Sequence, residues 1–214
     1  MPYVLCLALG YLVGSFPTAY ILVRWKTRAD IRTSGSGNVG AMNTFDVTGS
    51  KILGVSVLII DLVKGMLAVF LSYELFGNSF DMVALGGIGS VLGHNYSPWI
   101  KFKGGRGLAT AAGVIVLISW TALLLWGSVW IIVHQLSRNI HIANAVALIM
   151  TPIVVWIQPG FWLVHVLPVE IPPTELSIFF SLLCFLILIR HIEPIIQLWH
   201  SSHKSISHND SGVS

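Results

Sequence analysis

Residues 108–136, LATAAGVIVLISWTALLLWGSVWIIVHQL, decide how this chain is folded. A membrane-spanning helix needs about 20 apolar residues, within a range of roughly 17–25. This run is therefore long for one span and short for two. It contains no Lys or Arg, so the charges on either side of it must indicate how often it crosses a membrane.

The rest of the sequence is equally apolar. Of the 214 residues, 55% are hydrophobic and only 10% are charged, with a mean hydropathy of +0.80, whereas soluble domains are about one quarter charged. The sequence predicts an all-α polytopic membrane protein, with one membrane domain at 1–198 and a polar, disordered cytoplasmic tail at 199–214. The clear candidate spans are 3–23, 52–73, 82–99, 142–158 and 176–198.

The charge distribution excludes one class of function and predicts the topology. The pI is about 9.0, but the basic residues are scattered between spans and form no basic face with interleaved aromatics, which excludes nucleic-acid binding. Loops 24–51 and 100–107 are rich in Lys and Arg, while loops 74–81 and 159–175 have none. Because basic loops remain in the cytoplasm, the first two loops are predicted to be cytoplasmic.

The same rule decides how the run 108–136 crosses. A single crossing would place Arg138 on the side opposite to the other basic loops, whereas a tight hairpin of two short helices around 121–126 places every loop Lys and Arg on one face. The prediction is about seven transmembrane helices, two of them short, with the N-terminus outside and the C-terminus cytoplasmic. Six spans is the alternative, because short helices need protein neighbours or a thinner bilayer.

A glycine-rich loop between the first two spans predicts a binding site for an anion. It reads SGSGNVGAMN at 34–43. Its glycines at 35, 37 and 40 are expected to adopt positive φ, so that successive backbone N–H groups, helped by Ser36 and Asn38, form a concave anion site. Four cations lie just upstream, at Arg24, Lys26, Arg28 and Arg32. A phosphate-sized anion at the membrane surface is the predicted ligand.

A second loop predicts a second anion-binding element. Its residues 101–107 read KFKGGRG and open into the following helix. Backbone N–H groups, the positive end of the helix dipole and the Arg106 cation would meet at one point. Lys101 is interpreted as a topological anchor, and Arg106, between glycines, as a ligand contact.

Three features within the spans have structural interpretations. Asp61 and Lys64 lie three residues apart on one helical face and can pair; such a pair is either purely structural or helps to shape the active site. The spacing Gly89-x-x-x-Gly93 favours close helix packing. Two cysteines inside apolar runs are expected to be packing residues without a disulfide, namely Cys6 and Cys184.

Several motifs together resemble one family. They are Asp30-Ile-Arg-x-x-Gly-Ser-Gly-Asn-x-Gly-Ala-x-Asn43, Gly-His94-x-x-x-Pro98, Phe102-Lys-Gly-Gly-Arg-Gly107 and Arg190-His191. Gly14-Ser-Phe-Pro17 and Asp61-x-x-Lys64-Gly65 also fit. The chain resembles the bacterial acyl-phosphate:glycerol-3-phosphate acyltransferases over residues 10 to 195.

The resemblance implies a seven-span enzyme of the bacterial cytoplasmic (inner) membrane. It would transfer a fatty acyl group from acyl phosphate to the 1-hydroxyl of glycerol 3-phosphate, at a site on the cytoplasmic face, giving lysophosphatidate and phosphate as the first step of phospholipid synthesis. No metal or nucleotide cofactor is implied. The expected partners are the two substrates and membrane lipid, with other phospholipid-synthesis enzymes as candidates.

The loops then supply the expected site residues. His94 or His191 would act as base or hydrogen-bond donor, since histidine titrates near neutrality; alternatively, the phosphate of the donor itself would take the hydroxyl proton. Positioning and charge neutralisation would supply much of the rate. The expected substrate- and phosphate-binding residues are Ser36, Gly37, Asn38, Gly40, Asn43, Lys103, Gly104, Gly105, Arg106, Gly107 and Arg138.

Four positions depart from the family pattern. Asp46 stands where an Arg is usual, His141 and Asn144 stand where serines follow Arg138, and Pro194 replaces an Asn. An anion in place of a phosphate-binding cation should repel glycerol 3-phosphate. A changed acceptor or a non-catalytic paralogue is therefore an alternative. A small-anion transporter is a weaker one, since the polar groups crowd one surface and no internal repeat is present.

Overall fold

The computed structural model describes residues 1–157, 160 and 166–196, and this part of the chain is mainly α-helical, with no strand. The predicted tail at 199–214 lies outside the described residues. The α-helices, in chain order, are α1 (Pro2–Gly14), α2 (Thr18–Thr27), α3 (Ala41–Thr48), α4 (Lys51–Phe76), α5 (Phe80–Asn95), α6 (Leu108–Ser137), α7 (Ile140–Ile157) and α8 (Pro173–Ile189).

Long apolar helices dominate the architecture. Within the described residues, four helical segments are long and apolar enough to cross a membrane: Pro2–Thr27, Lys51–Phe76, Leu108–Ser137 and Ile140–Ile157. The helix α8 is a shorter apolar helix of 17 residues. These helices confirm the all-α class that the hydropathy pattern predicts.

The first predicted span, 3–23, is not one continuous helix. Helix α1 ends at Gly14 and α2 begins at Thr18, because Pro17 has no N–H to continue the helical hydrogen bonds. At the break the carbonyl of Phe16 accepts two hydrogen bonds, from Thr18 N at 3.0 Å and from Lys64 Nζ of α4 at 3.2 Å. The predicted first span is thus built from two helices within the candidate span Pro2–Thr27, and the break connects the first span to the second.

Helix α6 doubles back on itself. Ser119 has φ −160° and ψ 91°, which is not helical, and its Oγ accepts a hydrogen bond from Ala122 N at 3.4 Å. Leu108 and Trp130 line the same cavity, although a straight helix would separate them by about 33 Å. The structure therefore supports the predicted hairpin and places its turn at Ser119, before the expected 121–126. The number of membrane crossings stays a prediction.

Glycines let the helices approach backbone to backbone. A Cβ added at Gly89 would overlap the Leu7 carbonyl of α1, and one at Gly93 would overlap the Tyr11 carbonyl. The packing interpretation of Gly89-x-x-x-Gly93 is thus confirmed. Similar contacts join α1 to α5 at Gly10 and Gly14, α4 to α5 at Gly86, and α4 to α6 at Gly65 and Gly113. Two free thiols are buried in this core, as expected, at Cys6 and Cys184.

Two helices end earlier than the hydropathy predicts. Helix α5 ends at Asn95 rather than at 99, and α8 ends at Ile189 rather than at 198. The segment 96–107 after α5 consequently forms a loop that contains a 3-10 helix at Pro98–Ile100, and a turn at 190–191 after α8 leads into a further helical stretch at 192–196. Together with the loop between α2 and α3, they build the site described next.

Candidate active site

The loop between α2 and α3 is shaped by two left-handed glycines. Gly35 and Gly37 have φ of 58° and 72°, a region that side chains rarely adopt. Gly40 has an extended backbone with φ −156° and caps the start of α3. Positive φ is confirmed at the first two glycines, and the expectation for Gly40 is wrong.

The side chain of Asn43 holds this loop together. Its Oδ1 accepts the backbone N–H of Ser36 at 2.9 Å, and its Nδ2 donates to the carbonyls of Ser34 and Asn38 at 3.0 and 2.9 Å. The N–H of Gly37 is bonded to Ser34 O at 3.1 Å. The expectation that consecutive N–H groups here face a ligand is therefore wrong for Ser36 and Gly37, and Asn43 shapes the loop from a buried position.

The second loop is fixed from both sides. The N–H groups of Gly104 and Gly105 donate to the carbonyls of Asn95 and His94, at 3.2 and 3.1 Å, while the glycine carbonyls accept from Arg190 Nη2 and Nε at 3.1 and 3.2 Å. A Cβ at either glycine would overlap the end of α5. The predicted cradle of free N–H groups is wrong at these two positions, which leaves the Arg106 side chain as a donor.

Arg190 is a site residue that the sequence reasoning did not place among the binding residues. Besides bonding the glycine loop, its guanidinium lies over the Tyr96 ring, 5.3 Å from the centroid. The available signal was the Arg190-His191 pair that forms part of the family pattern.

Arg32 joins the two loops to each other. The Arg32 guanidinium pairs with the Asp30 carboxylate, with Nε to Oδ1 at 2.9 Å, and donates from Nη1 to Ile100 O at 3.1 Å. The hydrogen bond from Arg32 lowers the pKa of Asp30 to about 2. Arg32, expected to be one of the cations that attract the ligand, is therefore engaged in loop structure.

A polar cavity of about 560 Å³ opens between these loops and the end of α8. It contains two cations, Arg106 and Arg190, and two carboxylates, Asp46 and Glu193. Burial lowers the pKa of Arg106, with a smaller contribution from Arg190. The full lining comprises Ser36, Gly37, Asn38, Met42, Asn43, Asp46, Gly104, Arg106, His141, Ile189, Arg190, Glu193 and Pro194.

The Arg106 guanidinium is the strongest candidate for contact with an anion. Among the described residues it has no hydrogen-bond partner. A partly buried guanidinium presents five N–H donors in a fixed fork that matches a phosphate or carboxylate. Its environment therefore favours an incoming anion.

A second, more apolar cavity of about 540 Å³ adjoins the first. The two cavities share Asn38, Met42, Arg106 and His141. The first residues of α3 and α6 line it, so the positive ends of two helix dipoles face the same space. Its remaining lining is Gly40, Ala41, Leu58, Asp61, His94, Gly107, Leu108, Ala109, Trp126, Trp130, Ile140, Asn144 and His191.

The two cavities collect most of the predicted site residues. Lys103 and Arg138 are exposed and line neither cavity, and Gly105 lies instead against the His94 ring. All four residues that depart from the family pattern line one cavity or both, namely Asp46, His141, Asn144 and Pro194. The departures are thus concentrated where a ligand would bind.

His94 belongs to a buried charged network. Lys64 Nζ lies 2.8 Å from Asp61 Oδ1 and 2.8 Å from His94 Nδ1, and all three side chains are buried. The Asp61–Lys64 pair is therefore confirmed, and it contacts a cavity-lining histidine. Because the lysine ammonium can only donate, His94 Nδ1 accepts and its Nε2 carries the hydrogen.

His191 has the opposite arrangement. Its Nδ1 lies 2.9 Å from the carbonyl of Ile187, which can only accept, so Nδ1 carries the hydrogen and Nε2 is an acceptor. Among the described residues, Nε2 has no hydrogen-bond partner. Burial lowers the pKa of His191 to about 4, with Arg106 adding a smaller effect in the same direction, so the ring is neutral near pH 7.

Known proteins are similar to this chain in sequence and in fold. Residues 4–201 match the family described as "Glycerol-3-phosphate acyltransferase". The chain belongs to the glycerol-3-phosphate acyltransferase family. Among its relatives are "Glycerol-3-phosphate acyltransferase 2" of Thermotoga maritima, 31% identical with 93% of this chain and 94% of the relative covered, and "Glycerol-3-phosphate acyltransferase" of Bradyrhizobium sp., 35% identical with 90% and 89% covered.

Solved structures agree with the family assignment. The fold is similar to the crystal structure of PlsY (YgiH), described as an integral membrane glycerol 3-phosphate acyltransferase, in its glycerol 3-phosphate form. The TM-score is 0.77 at 29% identity, with 93% of this chain and 92% of that chain covered. Its lysophosphatidic acid form gives a TM-score of 0.76. Family membership and the apolar helices together establish a multi-pass membrane protein.

Proposed function

We propose that this protein transfers a fatty acyl group from acyl phosphate to the 1-hydroxyl of glycerol 3-phosphate, releasing lysophosphatidate and phosphate. The observation that carries the proposal is the pair of adjoining cavities, one polar and one largely apolar, that meet at Arg106. Both substrates carry phosphate, and the donor also carries a long apolar chain. The related PlsY structures are described in glycerol 3-phosphate and lysophosphatidic acid forms, which supports the same acceptor and product here.

The donor's chemistry fits what the site offers. Acyl phosphate is a mixed anhydride and already activated, so transfer requires chiefly that the substrates be held together and that the leaving phosphate be neutralised. The Arg106 guanidinium and the N-termini of α3 and α6 supply positive charge at the junction of the cavities. The apolar cavity would take the acyl chain.

The two histidines are suited to different roles in this reaction. His191 lines the apolar cavity, and its Nε2, a neutral acceptor without a partner among the described residues, would take the hydroxyl proton. His94 carries its free hydrogen on Nε2 and is suited to donate a hydrogen bond, while Lys64 fixes its orientation. If the donor's own phosphate takes the proton instead, the His191→Gln variant will retain most of its turnover and the pH profile of the wild type.

Turnover by the purified, lipid-reconstituted protein tests the reaction. Palmitoyl phosphate and palmitoyl-CoA are offered in parallel with labelled glycerol 3-phosphate, and lysophosphatidate is expected from the phosphate donor alone. The Arg106→Met variant should lose about 10²–10³-fold in rate, the cost of removing one group that stabilises charge in the transition state. Lys101→Met, an exposed loop cation outside both cavities, is the matched control. Product from palmitoyl-CoA alone would refute the proposed donor.

The carboxylates of the polar cavity favour a second candidate, a changed acceptor. Asp46 and Glu193 line the same cavity as Arg106, and a carboxylate repels a phosphate dianion. An acceptor that presents hydroxyls or a cation toward Asp46 would fit this arrangement better. If glycerol 3-phosphate gives no product with a folded protein, a panel of phosphorylated polyols and amino alcohols is the next assay.

The membrane arrangement is part of the same proposal. Seven spans with the C-terminus and the active site in the cytoplasm are supported by the doubled-back α6 and by the basic loops that surround the cavities. Lys101→Cys should react with a membrane-impermeant maleimide in inverted inner-membrane vesicles, and Glu74→Cys only in spheroplasts. The reverse pattern would refute the orientation.

A further inference from the structure

The apolar cavity continues inward along four helical segments. A second, smaller apolar space of about 20 Å³ lies behind it, here called the inner cavity. These segments are the two halves of α6 on either side of Ser119, helix α7, and α8 together with the turn after it. Each segment lines the apolar cavity with one turn and the inner cavity with the next. The inner lining comprises Leu108, Ala111, Ala112, Ile115, Leu123, Trp126, Leu148, Thr151, Phe180, Cys184 and Ile187.

The register of α7 shows that the two spaces lie one behind the other. Asn144 lines the apolar cavity, and Leu148 and Thr151 line the inner cavity. From Asn144 to Thr151 the helix advances by about 10 Å. Both limbs of α6 and the end of α8 progress in the same direction, so the inner cavity is an extension of the apolar cavity away from the polar one.

Trp126 stands at the junction of the two spaces. Only Leu108 and Trp126 line both. The Trp126 ring is stacked on Trp130, with centroids 6.5 Å apart and an interplanar angle of 26°. Trp130 is itself fixed, because its Nε1 donates to Asn144 Oδ1 at 2.7 Å. This chain of contacts holds the Trp126 indole in place.

We propose that Trp126 sets the depth of the acyl-binding pocket and therefore the longest acyl chain that this protein binds well. The inference rests on the proposed function, since it takes the apolar cavity as the site of the acyl chain. A chain that enters from the junction at Arg106 runs along the apolar cavity until it meets the Trp126 indole. The inner cavity is too small to hold more of the chain, but removal of the indole would join the two spaces.

The test measures binding of non-transferable acyl phosphonates to the reconstituted protein. Over a series of about ten to about twenty carbons, affinity should rise about fourfold for each methylene that finds apolar surroundings and then level off. In Trp126→Ala the levelling point should move by about two carbons or more to longer chains. Trp126→Phe should shift it less. Trp120→Ala, an exposed tryptophan on the same helix outside both cavities, should leave it unchanged.

A variant that refills the enlarged pocket distinguishes a change in pocket depth from a general disruption of the fold. Ala112 lines the inner cavity and not the apolar cavity, so Ala112→Phe added to Trp126→Ala should restore the shorter limit. An unchanged limit in Trp126→Ala, with the shortest phosphonates still bound as in the wild type, would overturn the inference. Failure of the wild-type protein to bind any phosphonate would instead overturn the proposed function on which it rests.

Discussion

Substitution of Lys64 by Met should destabilise the protein by about 3–5 kcal/mol, the cost of leaving one buried charge without its partner. Lys64 and Asp61 have side-chain exposures of only 7% and 4%, so water cannot replace the lost ammonium. The carbonyl of Phe16 also loses one of its two donors and keeps the N–H of Thr18. The free energy of unfolding, measured by denaturant titration in mixed micelles, is the direct assay.

Two further variants locate the origin of that loss. Lys51→Met removes an exposed lysine from the start of the same helix and should change the free energy of unfolding by less than about 1 kcal/mol. The double variant Asp61→Asn with Lys64→Met removes both charges and should recover much of the loss, because no unpaired buried charge remains. If Lys64→Met costs no more than Lys51→Met, or if the double variant is as unstable as the single one, the buried-pair reasoning is refuted.

Three other predictions concern the site itself. Gly105→Ala should abolish turnover, because its Cβ would overlap the His94 ring, whereas Gly127→Ala, which has open space around it, should retain activity; equal rates would contradict the packing argument. His191 stays neutral down to a pKa of about 4 in the folded protein and titrates near 6.5 when unfolded. The unfolded chain therefore binds more protons between these values, and the free energy of unfolding should fall by about 3 kcal/mol at most from pH 6.5 to pH 4, a loss that His191→Gln should reduce. Asp46→Arg should lower the KM for glycerol 3-phosphate about tenfold by replacing repulsion with a charge-assisted contact; an unchanged KM would mean that Asp46 does not face the acceptor.

Hydropathy was sufficient to predict the helical membrane fold, and the charges flanking 108–136 predicted a hairpin there, which the non-helical backbone at Ser119 supports. The reason is that a bilayer imposes a length on every span and a sign on every cytoplasmic loop. The loops that carry the cavity residues were also identified from their glycines and cations. What these signals could not supply was the break at Pro17 and the early ends of α5 and α8, since apolar residues continue past each of these points.

The main error in the sequence-based prediction was that the backbone N–H groups of the two loops would be free to bind a ligand. Glycine-rich sequence indicates that a backbone can approach a ligand, but the N–H groups of Gly104 and Gly105 approach α5 instead. Asn43 likewise takes the N–H that Ser36 was expected to offer. Such partners depend on contacts between distant segments, and so does the link between Lys64 and His94, which are 30 residues apart. The spacing of residues within one segment does not predict contacts of this kind.

The break at Pro17 has a consequence for the order in which the protein is assembled. The Phe16 carbonyl accepts hydrogen bonds from Thr18 N at 3.0 Å and from Lys64 Nζ, 48 residues later in the chain, at 3.2 Å. A charged side chain without partners is costly in hydrocarbon, and one of the acceptors of Lys64 lies on the first span, which the ribosome completes before it translates this lysine. The first two spans should therefore leave the insertion machinery as a pair, with the earlier span already offering a carbonyl to the lysine that follows it.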